Sequence, residues 1–212
     1  MRWRILRIPS ILAGQRVTHS RSRAGNKRIH GNMGTGMVIY LIGVHHSIQH
    51  NGGNLRGIQG LSSLREQFQY YLMRTTKEFG ISVLAEELNE DALTMFNASE
   101  SLARFVAGRL GISHVFCEPD LHTRSSLGFT KQLQKKHHVI RELLWYDKIA
   151  DYKGKHIVFI CGVNHIPTFS KLIRKKGRRA IILTSYYGRN FFESFSPRHF
   201  CQSLCPRAVA VV

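Results

Sequence analysis

Five short apolar runs, at 38–43, 81–85, 112–117, 156–161 and 179–184, alternate with stretches of helical period. Over 61–78, Leu61, Leu64, Phe68, Tyr71 and Leu72 recur at three- and four-residue spacing, which marks one apolar helix face. Further helices are predicted at about 99–109 and 128–150, and from near Asn164 or Pro167 to Gly177. Residues 44–60, 88–98 and 121–127 read as loops. Strands alternating with helices predict an α/β fold, a mostly parallel five-stranded sheet flanked by helices. Such sheets place their chemistry at the C-terminal edge of the strands.

Two of the runs end in nearly the same phrase. Val38–Ile42 leads into Gly43-Val44-His45-His46, and Ile157–Cys161 into Gly162-Val163-Asn164-His165. A glycine here permits a sharp exit from the strand and a close approach by a ligand. The second run ends in Glu86-Glu87 and the third in Glu118-Pro119-Asp120, with Arg124 just beyond. The fifth ends in Ser185, Tyr186 and Tyr187. A parallel sheet gathers all of these at one edge. Two histidines with several carboxylates suit a divalent metal, or metal-free chemistry in which a carboxylate orients a histidine base. Taken singly each element has a plainer reading. Glu118–Asp120 could be a turn with a helix cap, Arg141 and Glu142 an exposed surface, and His137 and His138 a solvated helix face.

Charge is the most conspicuous compositional feature. The 212 residues carry a formal +18, and no Asp or Glu precedes Glu66. Residues 1–36 form a basic segment, read as a disordered tail or as sequence upstream of a start at Met33 or Met37. A transit-peptide-like leader is the organelle-targeting alternative. Residues 37–188 are expected to form a single α/β domain and 189–212 a C-terminal tail. The clusters Lys131, Lys135, Lys136 and Arg174–Arg179 suit helix surfaces and C-termini. Nucleic acid is therefore not the expected partner, although a basic nucleic-acid-associated protein is the third reading of the chain. No run approaches the roughly 20 apolar residues of a membrane span. Cys117 and Cys161 read as buried small hydrophobes. Cys201 and Cys205, with His199 the one nearby histidine, do not specify a zinc site. A reduced, cytoplasmic compartment is the default.

The two Gly-x-x-His phrases, the glutamate pair between them and an arginine resemble the signature of the erythromycin-esterase-like, ChaN-like and TraB/Tiki superfamily. The arginine has its best match in Arg141, within Arg141-Glu142-Leu143-Leu144-Trp145, and Arg124 competes. The resemblance covers about 38–188. Known members carry extra helices between the glutamate pair and the arginine, so this chain is a small one. The resemblance implies a hydrolase; family activities include metal-dependent proteolysis and cleavage of a macrolide ester, and one branch binds haem.

The expected function is hydrolysis of an ester or amide bond in a small-molecule or peptide substrate. His46, Glu86, Glu87, Arg141 and His165 are the expected catalytic set, with His45, Arg124 and Asn164 binding substrate. A divalent metal (manganese, zinc or iron) would fall to His46, Glu86 and His165, and a metal-bound water is a nucleophile near neutral pH. Without metal, a histidine takes the water's proton. The loop at 47–60 is expected to close over the site. The alternative is a ChaN-like protein that holds haem or another ligand without turnover.

Overall fold

The computed structural model describes residues 37–52, 58–130 and 134–193, with side chains omitted at 134–136. The leader 1–36, residues 53–57 of the expected lid, Lys131, and the tail from 194 with His199, Cys201 and Cys205 lie outside the described residues, as do the side chains of Lys135 and Lys136.

Five strands form one sheet: β1 (Val38–Val44), β2 (Val83–Glu86), β3 (Ser113–Phe116), β4 (Ile157–Gly162) and β5 (Arg179–Tyr187). All pair in parallel, in the order β3-β2-β4-β1-β5. The strands alternate faces, and each face has its own core. Tyr40, Ile42, Val44, Leu84, Val158 and Ile160 pack beneath α1 (Leu61–Glu78) and α3 (Leu102–Leu110). Ile39, Leu41, Val83, Ala85, Phe159 and Cys161 pack beneath α5 (Gln134–Ala150) and α6 (Ile166–Lys175). A period of two in the strand thus serves helices of period 3.6 on both sides.

Several expectations need correcting. Residues 88–98 and 121–127 are not plain loops, since they hold α2 (Glu90–Met95) and α4 (Leu121–Ser126). Each has an N-cap: Asn89 accepts from the Ala92 N–H at 2.8 Å and Asp120 from the Thr123 N–H at 2.7 Å. The domain does not end at 188, because α7 (Arg189–Glu193) follows β5 and buries Phe192 in the α1-side core. The start of the 47–60 loop is not free to close. His46–Ile48 is a turn of 3-10 helix, Ser47, Ile48, Gln49 and His50 are buried, and His50 bridges to Ser101. Among the described residues no helix is long and apolar enough to cross a membrane.

Register decides what meets at the edge. Gly43 pairs with Cys161 and Val44 with Gly162, so the two Gly-x-x-His phrases lie side by side. Glu86 pairs with Ile160, which sets the glutamate pair against the other flank of β4.

Candidate active site

The ends of β1, β2 and β4 border a cleft of about 440 Å³ lined by His46, Glu87, His138, Arg141, Gly162, Asn164 and His165. Glu87 is its centre. One carboxylate oxygen, Oε2, accepts the Gly162 N–H at 2.7 Å. The other, Oε1, accepts Nη2 of Arg141 and faces Nε2 of His46 and of His165 at 3.8 and 3.5 Å. Burial pushes the Glu87 carboxyl up. The charges of His46, Arg141 and His165 and the Gly162 N–H outweigh it and hold the group below the usual carboxylate range.

Both histidines are gripped at the far ring nitrogen. Nδ1 of His165 lies 2.8 Å from Oε1 of Glu142, a buried carboxylate on α5 that also accepts the Thr168 hydroxyl at 2.5 Å. Nδ1 of His46 lies 2.7 Å from Oε1 of the buried Gln49. An acceptor at Nδ1 places the proton there and turns the Nε2 lone pair outward. The edge of the Trp145 ring meets His165 at a 4.8 Å centroid distance, and His138 closes the other side at 4.5 Å.

Arg141 is held more firmly than a surface arginine. Its Nε donates to both oxygens of Glu118, at 2.8 and 3.0 Å, and its Nη2 to Glu118 as well as Glu87. Trp145 donates its indole N–H to Glu118 at 3.0 Å and lies under the Arg141 guanidinium. Burial works against the Arg141 charge, yet Glu87 and Glu118 raise its pKa above the ordinary value.

Of the residues expected from sequence, His46, Glu87, Arg141, Asn164 and His165 line this one cleft. Three others do not. Glu86 projects to the opposite face of the sheet, as alternation along β2 requires. There it is fully buried, accepting from Ser101 and meeting Nε2 of His114 at 2.8 Å. His45 stacks on Phe192 at 4.5 Å and caps the 3-10 turn, so it is not a substrate contact in this cleft. Arg124 pairs with Glu118 at 3.1 Å and lines an adjoining recess of about 400 Å³ that shares Arg141 and His138 with the cleft.

Glu142, His138 and Gln49, and the anchoring role of Glu118, lie outside the set of site residues expected from sequence. His137, taken as solvated, is buried and stacks on Phe129 at 4.3 Å. A signal existed: Trp145 and Ile149 mark the buried stripe of α5, and steps of three or four back from them reach Glu142 and His138.

A divalent metal, implied by the resemblance, does not fit these residues. Glu86, assigned as a ligand, faces away, and both oxygens of Glu87 already accept from Arg141 and Gly162. Among the described residues no three or more His, Cys, Asp or Glu side chains are grouped to hold a metal ion. Haem fits no better, because this polar lining offers no apolar slot for a porphyrin. Cys161, beneath the cleft, is no nucleophile: burial and the Glu87 and Glu142 charges push its thiol pKa well up.

Comparison with protein-family models, with curated proteins and with solved structures gives no match.

Proposed function

We propose that the chain is a hydrolase that cleaves an ester or amide bond by general-base attack of water. The observation that carries this reading is the Glu142–His165 pair: a buried carboxylate holds Nδ1 while Nε2 borders the cleft. Nε2 takes a proton from water as its oxygen attacks the carbonyl carbon. Glu142 stabilises the positive charge that develops on the ring. The tetrahedral intermediate then collapses, and the same Nε2 proton passes to the leaving oxygen or nitrogen. Arg141 supports the developing oxyanion, since its Nη1 has no hydrogen-bond partner among the described residues. Asn164 and His165, in the 3-10 turn that leads into α6, line the cleft, so the positive end of that helix lies beside it. His46, whose side chain is 48% exposed, is the ring that incoming substrate meets first.

Two Gly-x-x-His phrases, a glutamate and an arginine converging on one cleft also support the reading of a small erythromycin-esterase-like or TraB/Tiki-like hydrolase. The test is turnover of p-nitrophenyl esters and fluorogenic peptide amides. His165→Ala and Glu142→Gln should each lower kcat by about 100-fold or more. A chelator should leave wild-type turnover unchanged. A wild-type chain inert on both substrate classes, or a fully active His165→Ala, would sink the proposal.

A further inference from the structure

Glu86 sits behind the cleft, yet two hydrogen bonds in series connect it to a ring that lines the cleft. Oε1 of Glu86 takes Ser101 and His114, and Oε2 lies 3.5 Å from Nε2 of Gln49. Gln49 in turn presents Oε1 to Nδ1 of His46 at 2.7 Å. All three of Glu86, Gln49 and Ser101 are buried, at 0%, 1% and 1% exposure, so water does not compete for the bonds that Ser101 and Gln49 make to Glu86. We propose that Glu86 is a positioning residue that sets the tautomer of His46 through Gln49.

Each link follows from donor and acceptor chemistry. A carboxylate only accepts, so the Gln49 atom that faces Glu86 must be the amide NH2. The reversed amide would set oxygen against oxygen with no water to separate them. With NH2 turned to Glu86, the Gln49 carbonyl faces His46 and can only accept. His46 must then carry its proton on Nδ1, which leaves Nε2 as a lone pair toward Glu87. The two adjacent glutamates thus work on the same ring from opposite faces of the sheet, Glu87 in front and Glu86 behind. The inference rests on the reading that His46 works in the cleft, but its central claim is a proton position that needs no substrate to observe.

Glu86→Gln makes the decisive variant because it changes almost no volume. Its single carbonyl is claimed by Ser101 and His114, so its NH2 faces Gln49. Gln49 should then turn its carbonyl to residue 86 and its NH2 to His46, and His46 should move its proton to Nε2. Long-range proton–nitrogen NMR on 15N-labelled full chain at pH 8 distinguishes the two tautomers. Wild type should show Nδ1–H for His46 and Glu86→Gln should show Nε2–H. Gln49→Met should abolish the coupling, so that adding Glu86→Gln to it leaves the His46 tautomer unmoved. An Nε2–H tautomer in wild type, or an unchanged His46 in folded Glu86→Gln, overturns the proposal. So does a shift from Glu86→Gln that persists on the Gln49→Met background. Correct tautomers in a chain that hydrolyses nothing would instead count against the hydrolase and spare the relay.

Discussion

A methyl group on Gly162 would lie 2.9 Å from Nε2 of His46 and 3.4 Å from Oε2 of Glu87. On Gly43 it would lie 2.1 Å from the carbonyl oxygen of Ser185 and 2.9 Å from Ile166. Gly162, at φ −59°, has no need of glycine's left-handed freedom, so the sharp strand exit expected from sequence is not its reason. Its reason is close approach, of an imidazole at Gly162 and of the β5 main chain at Gly43, rather than of a ligand. The obstacle at Gly162 is the end of a half-exposed side chain, which can move. The obstacle at Gly43 is backbone, which cannot. Gly162→Ala should therefore reduce turnover while thermal melting stays within a few degrees of wild type. Gly43→Ala should instead destabilise by about 1–3 kcal/mol, read from chemical denaturation. Equal effects of the two on stability would show that the twin glycines do not differ in this way. Sequence made the phrases visible as twins, but their unlike roles depend on the β1–β5 and β1–β4 pairings, which no local pattern encodes.

Elements with a sustained period were legible. Helix α1 begins and ends where its apolar spacing predicts, and each strand overlaps its apolar run. Helices α2 and α4, six residues each, are too short to display a period, so only their caps could have announced them. The choice between Glu86 and Glu87 was hidden for another reason. Alternation guarantees that neighbours at a strand end face opposite sides, but it does not say which side carries α5. Helix α7 escaped because its contribution is chiefly one ring, Phe192, buried beside Tyr186 and stacked on His45, with Phe191 packed partly buried next to it. A chain ending at Gly188 loses that ring and should be less stable by about 2–4 kcal/mol. Phe192→Ala in the full chain should reproduce most of the loss, measured by denaturant midpoint. A truncated chain as stable as the full one would show that α7 is peripheral.

For the whole molecule, the parallel α/β class was plain from the alternation, whereas the strand order was not, because apolar runs carry no address. Stability should depend on acid in a way that two rings dictate, the buried His50 and the half-buried His45. Burial, aided by the neighbouring His46 charge, lowers the His45 pKa to about 4 from 6.5. Burial, with the charge of Arg65, does the same to His50, which accepts the Gly52 N–H and stacks on Phe96. The unfolded chain therefore binds protons first as pH falls. The stability held above pH 6.5 should drain away toward pH 4, by on the order of 1–3 kcal/mol after allowance for solvent reaching His45. Glu87, whose pKa is depressed, adds to the loss only below its ordinary 4.5. Melting curves across this range should flatten in His50→Gln, and an unchanged slope would contradict the assignment.

The strand order carries a consequence for how the molecule comes into being. Strand β4, which lies between β1 and β2, is made more than seventy residues after β2. A nascent chain that has emerged as far as the end of α5 already contains His46, Glu87, Arg141 and Glu142. It still lacks the strand that fills the gap between β1 and β2, and the Gly162 N–H that receives Glu87. Synthesis of the stretch that follows α5 therefore completes the central strand and supplies His165 together, so no half-finished molecule can display the cleft.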